Sequence, residues 1–118
     1  MERTYVIQNQ SDYHITIKFY YGNLVVEDQF VYEVELEKLV GEYVVDFEED
    51  HRSGVSPAEP LNGNSAEIIF NMEKVIFSAE DEPDINFLFS NEYYYIKGDT
   101  YTYTFTNEDY DRAEPITP

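Results

Sequence analysis

A chain of 118 residues, 42% apolar and 17% aromatic, is long enough to close one hydrophobic core without staples, so a single domain over residues 1–118 is expected. It has no cysteine, which excludes a disulfide scaffold, a thiol nucleophile and a cysteine-ligated zinc or iron–sulfur site. Its 25 acidic side chains against 7 Lys and Arg give a formal charge of −18, which repels phosphate backbones and anionic bilayers, and leaves cations, basic proteins or water as complements.

From the start of the chain, Tyr5 to Gln8 reads as a short strand, and the polar run Asn9-Gln10-Ser11-Asp12 as a turn. Between Tyr13 and Tyr20 the pattern alternates, with Tyr13, Ile15, Ile17 and Phe19 on one face and His14, Thr16, Lys18 and Tyr20 on the other. A period of two marks a half-buried antiparallel strand. Tyr21-Gly22-Asn23 turns the chain into a further apolar run, Leu24-Val25-Val26. Phe30, Tyr32, Val34 and Leu36 then alternate with Val31, Glu33, Glu35 and Glu37, so the glutamate face must be wet. Leu36, Leu39 and Val40 also fit helical spacing, which leaves a helical turn over 33–39 as an alternative. After Gly41, Glu42 to Phe47 reads as a strand.

The region 48–63 is acidic and contains Pro57, Pro60 and Asn62-Gly63, which predicts a long surface loop. Ala66–Phe70 and Lys74–Phe77 flank Asn71-Met72-Glu73 as a hairpin. Ser78–Asp84 is a second acidic loop, and Ile85–Phe89 and Tyr93–Ile96 read as strands. Gly98-Asp99 turns into Thr100–Thr106, where Tyr101, Tyr103 and Phe105 share one face and the threonines the other. Thr106, with an acid three residues on at Asp109, signals a short terminal helix. Eight or nine short strands without a βαβ rhythm predict an all-β fold, an antiparallel β-sandwich, immunoglobulin-like or related, with one C-terminal helical turn.

No constellation of catalytic residues stands out, and the expectation is a protein that is not an enzyme and takes no cofactor. Glu33, Glu35 and Glu37 share a strand face roughly 7 Å apart per step, and a glycosidase pair would need two such carboxylates across a cleft. Glu48, Glu49, Asp50 and His51 form one possible metal-binding run. Asp81, Glu82 and Asp84 form another, with Ca²⁺ the ion that acidic loops favour, although neither matches the EF-hand spacing. His14 reads as a solvated histidine. The cluster Tyr93-Tyr94-Tyr95 is the candidate contact face, since exposed tyrosines stack on sugars or anchor proteins, whereas a tyrosine-rich core rim is the plainer reading.

Three segments, 5–20 (Tyr-Val-Ile-Gln-Asn-Gln-Ser-Asp-Tyr-His-Ile-Thr-Ile-Lys-Phe-Tyr), 66–77 (Ala-Glu-Ile-Ile-Phe-Asn-Met-Glu-Lys-Val-Ile-Phe) and 101–110 (Tyr-Thr-Tyr-Thr-Phe-Thr-Asn-Glu-Asp-Tyr), together cover about a third of the chain. The set resembles small cell-envelope lipoproteins of gut Bacteroidetes. The resemblance implies a strand-rich domain that follows a signal peptide and a lipid-bearing Cys, neither of which is in this sequence, and it carries no active site. The first expectation is therefore a monomeric, exported, lipid-anchored envelope module, periplasmic or at the surface, whose partner is a protein or glycan. The alternative is a cytoplasmic acidic inhibitor, an immunity protein or nucleic-acid mimic that blocks a basic partner.

Overall fold

In the computed structural model, which describes residues 2–22, 29–48 and 56–116, two sheets face each other across an aromatic core. Sheet A takes β1 (Glu2–Asn9), β4 (Glu42–Glu48), β7 (Tyr95–Lys97) and β8 (Thr100–Phe105) in the order β4-β1-β8-β7. Sheet B takes β2 (Ile15–Tyr20), β3 (Phe30–Leu36), β5 (Ser65–Phe70), β6 (Lys74–Ala79) and β9 (Glu114–Pro115) in the order β3-β2-β5-β6-β9. All pairings are antiparallel except β1 with β8. The fold is an all-β sandwich, as the alternating pattern predicts.

Alternation decides what enters the core. Tyr5, Ile7 and Asn9 of β1 and Tyr103 and Phe105 of β8 are buried from sheet A, and Ile15, Ile17, Phe19, Ile68 and Phe70 from sheet B. The sheets meet ring on ring: Phe70 lies 6.1 Å edge-on to Phe105, and Phe19 lies 6.4 Å from Tyr43. Such aromatic pairs add to what their buried area already contributes. Asn9 is the one fully buried amide among the largest core side chains of the described residues. Its Nδ2 donates to the carbonyls of Tyr13 (2.8 Å), Leu36 (3.1 Å) and Glu37 (3.3 Å), and its Oδ1 accepts from Ser11 N–H and Oγ–H. One side chain thereby ties the β1–β2 turn to the β3–β4 turn.

The turns follow local chemistry. Asn71 and Met72 both have positive φ (53° and 61°), and Glu73 N–H donates to Phe70 O at 2.8 Å, which is the primed geometry that matches strand twist in a hairpin. Gly98 (φ 59°) supplies the left-handed position between β7 and β8. At the C-terminal end, α2 (Asn107–Arg112) opens on a capping box in which Thr106 and Asp109 satisfy each other's backbone N–H.

Four expectations need correction. Ile85–Phe89 is not a strand but successive turns, closed by Ile85 N–H to Glu82 O and Phe89 N–H to Asn86 O. Phe87, Leu88 and Phe89 are all buried, which a strand with one wet face does not allow. Tyr93–Ile96 is likewise not one strand: residues 91–93 form a 3₁₀ turn, and only 95–97 pair. Within 48–63, Ala58–Leu61 forms a one-turn helix, α1, whose Ala58, Pro60 and Leu61 are buried and whose last turn closes on Asn62 in the left-handed region. The helical alternative over 33–39 is not taken either, since β3 extends to Leu36 and a turn follows. The expected strand at Leu24-Val25-Val26 and the acidic run Glu49-Asp50-His51 lie outside the described residues.

Candidate functional site

The tyrosine cluster sits at the β7 margin of sheet A, and its three members divide by role. Tyr94 is buried, its hydroxyl donates to Leu88 O at 2.7 Å, and its ring packs edge-on to Tyr5 and Tyr103. Burial holds its phenol well above the ordinary tyrosine range, so it stays neutral. The Tyr5 hydroxyl also donates to Asn91 Oδ1 at 2.9 Å, so the 91–94 segment is pinned twice. Tyr93 and Tyr95 flank this anchor and stand in solvent, 46% and 71% exposed, and Ile96 beside them is 50% exposed.

Register extends the surface across the sheet. Tyr95 pairs with Thr102, Thr102 with Val6, and Val6 with Val44, so these four share the outer face of sheet A in one row. Val44, at the far end, is 51% exposed. The next row is Lys97, Thr100, Thr4 and Asp46, with Thr4 Oγ1 donating to Asp46 at 2.9 Å. The hydroxyl face of Thr100–Thr106 is therefore a wet platform with an aromatic rim. Sequence reasoning found the rim and missed its continuation through Val6 and Val44, because strand order is not written in a local pattern.

The glutamate face lies on the outer side of sheet B. Glu33 and Glu35 are exposed there, and Glu37 follows beyond the strand end. Glu35 accepts from Thr16 Oγ1 at 2.8 Å and is bonded to His14 Nε2, so His14 is a carboxylate partner rather than a merely solvated ring. The His14 hydrogen bond is the main cause that lowers the Glu35 pKa, against a smaller opposing effect of burial. In register, Lys18 faces Glu33 on one neighbour and Glu67 on the other.

Asp81, Glu82 and Asp84 are all exposed on the turn after β6. Among the described residues no group of three or more His, Cys, Asp or Glu side chains is placed to hold a metal ion. A recess of about 380 Å³ opens beside β6, lined by Val75, Ile76, Phe77, Ile85, Arg112 and Glu114. Inside the fold, Asp109 accepts from Tyr103 and is bound by Arg112, and burial first, then the Asp109 charge, raises the Tyr103 phenol. That network locks α2 to β8, and its Arg112 also lines the recess. Compared with known proteins, the chain matches no family model, no curated protein and no solved structure.

Proposed function

We propose that this protein is a non-enzymatic binding module of the bacterial cell envelope that engages a protein or glycan through the Tyr93, Tyr95 and Ile96 edge of sheet A. The observation that carries this reading is the fixed exposure of these rings: Tyr94 anchors the segment while its two neighbours face water. Tyr95 on the outer face of β7 and Ile96 on the other make both sides of this edge apolar, and exposed apolar side chains on the edge of a chain this acidic favour an interaction site. Tyr95 is held on β7 and Tyr93 on the 3₁₀ turn that Tyr94 anchors, and rings so held lose little freedom on contact, which favours binding. The envelope assignment rests on the resemblance of segments 5–20, 66–77 and 101–110 to envelope lipoproteins.

The test probes isolated bacterial envelope fractions with the labelled protein, before and after periodate or protease treatment. Saturable binding that Tyr95→Ala weakens at least tenfold supports the reading, and the treatment that abolishes it tells glycan from protein. Binding that is indifferent to Tyr93→Ala and Tyr95→Ala would sink it. The codons upstream of Met1 in the native gene test export: an apolar segment ending in Cys supports it, and a genuine start at Met1 counts against it.

A second reading, an acidic inhibitor of a basic partner, is favoured by the charge of −18 and by its placement. Glu42, Asp46 and Glu48 stand exposed on one edge strand, β4. Salt-sensitive association with a basic protein is its signature.

A further inference from the structure

Among the described residues no strand pairs with the outer edge of β4, and α1 packs beside that strand. This seven-residue strand is the last in sheet A, and no described residue hydrogen-bonds to its outer side. The phase of its ladder follows from one bond, Asn9 N–H to Gly41 O at 2.8 Å. In an antiparallel pair every second residue exchanges its bonds with the neighbour, so Gly41, Tyr43, Val45 and Phe47 bond to β1. Glu42, Val44, Asp46 and Glu48 therefore turn their N–H and C=O groups away from the sheet. The same four residues place exposed side chains on the outer face. Open amides and carboxylates belong to one set of positions.

The carboxylates are held, not loose. Gln8 Nε2 donates to Glu42 at 3.2 Å, and Thr4 Oγ1 donates to Asp46. The strand carries no lysine, proline or bulge, the devices that ordinarily blunt an edge. Within the strand itself only negative charge guards it, and that guard is selective. Two copies paired antiparallel about Val45 would set Glu42 against Glu48 twice and leave Asp46 over Val44. Like charges directly opposite destabilise a strand pair. The edge rejects its own copy and suits a strand of the opposite charge.

We propose that β4 is a strand-addition site for an extended basic segment of a partner protein. The segment runs antiparallel to β4, with Lys or Arg opposite Glu48, Asp46 and Glu42 and an apolar residue opposite Val44. Read from its N-terminus, the occupant is basic-x-basic-x-apolar-x-basic. Main-chain bonds to the four open residues supply affinity, and the alternate side chains supply specificity. This deepens the acidic-inhibitor reading by naming the partner's chemistry, and it does not depend on the aromatic edge.

The experiment uses the whole protein and a fluorescein-labelled peptide, Lys-Thr-Arg-Thr-Val-Thr-Lys, read by anisotropy in 0.15 M salt, about the screening of a cell. Its control is the same composition with the charges clustered, Lys-Arg-Lys-Thr-Thr-Thr-Val. The patterned peptide is expected to bind at least tenfold tighter than the clustered one. Val44→Pro removes an N–H that bonds nothing in the fold, a position where an edge strand tolerates proline, and it should weaken binding at least tenfold. Asp46→Lys should do the same, and Tyr95→Ala should leave peptide binding unchanged. Should Val44→Pro fail to fold, amide exchange in the unaltered protein decides: the peptide must slow exchange at Val44 and Asp46. Equal binding of both peptides, no added protection on β4, loss of binding with Tyr95→Ala, or a dimer of the free protein that closes β4 each overturns the proposal.

Discussion

Asn9→Ala is expected to destabilise the fold by about 3 kcal/mol, more than any surface change. The side chain has no solvent exposure and serves five partners on two turns. Truncation leaves the Ser11 N–H without a partner in a buried site, at about 1–3 kcal/mol, while the Leu36 carbonyl loses its second bond but stays in the ladder with Ile15. The Tyr13 and Glu37 carbonyls are only partly buried, so water recovers them at little cost. The Ser11 hydroxyl keeps its bond to Tyr13 O. One orphan, with one buried bond lost at about 0.5–1.5 kcal/mol, gives about 1.5–4.5 kcal/mol, centred on about 3. A loss of 3 kcal/mol lowers the folded-to-unfolded ratio by about two orders of magnitude, and for a chain this long it lowers Tm by roughly 12 °C. Urea unfolding followed by far-UV circular dichroism measures it, as a fall in the midpoint with the slope unchanged. Gln8→Ala, which removes a bond to Glu42 on the wet face, is the control and should stay within about 0.5 kcal/mol. A loss under about 1 kcal/mol for Asn9→Ala would show that the two turns hold their geometry without the amide.

Glu35→Gln tests the His14 contact through pH. The folded pKa of Glu35 is lowered, so its contribution is present above the unfolded carboxylate pKa and is lost as pH falls through the folded value. Both partners are about half exposed, so screening keeps the loss at neutral pH below about 0.5 kcal/mol. Unfolding midpoints of the two proteins should differ slightly at pH 7 and coincide once Glu35 is protonated; a gap that widens in acid refutes the assignment. Met72→Gly should stabilise by about 0.5–1 kcal/mol, because Met72 holds a left-handed conformation at an exposed hairpin position that glycine adopts freely. A lower Tm for this variant would mean that the methionine side chain contributes packing. Tyr94→Phe should cost about 1–2 kcal/mol by leaving the Leu88 carbonyl unpaired, whereas Tyr95→Ala should change stability by less than about 0.5 kcal/mol. Thermal melts of the pair separate anchor from contact face, and equal losses would contradict the division of roles.

Where one side of a strand is wet, the sequence showed it. Tyr101, Tyr103 and Phe105 face inward and the threonines outward; in sheet B Ile15, Ile17 and Phe19 face inward as expected, but Thr16 and Tyr20 on the expected wet face of β2 are buried as well. The capping box at Thr106 and the hairpin about Asn71 were legible because a few adjacent side chains decide them. Residues 85–94 were not. Phe87, Leu88, Phe89 and Tyr94 look like strand residues, yet their side chains plug the core from successive turns, an arrangement set by Tyr5, Ser78 and Tyr103 from distant strands. The tyrosine triplet was visible as a cluster, but which ring would be the anchor depended on the Leu88 carbonyl. The parallel pairing of β1 with β8 has no local signal, and so neither does the row that joins Tyr95 to Val44.

That parallel pairing also decides which strands stand at the margins of sheet A. In sheet B, β9 pairs with the start of β6, Ala79 N–H is taken by Ile85 O, and the other edge strand, β3, starts at a register shift beside Tyr20. Placing β8 beside β1 pushes β4 and β7 to the two margins of sheet A, with no further strand beyond either among the described residues. The margins differ in kind. β7 is three residues long, too short to template another chain, and it presents rings. β4 is seven residues long and presents amides and carboxylates. An edge that short can offer a partner only side chains, whereas an edge that long can also offer its backbone. The threonine platform lies between the two margins, so the proposed aromatic and strand-addition surfaces are separate and each can be altered without touching the other.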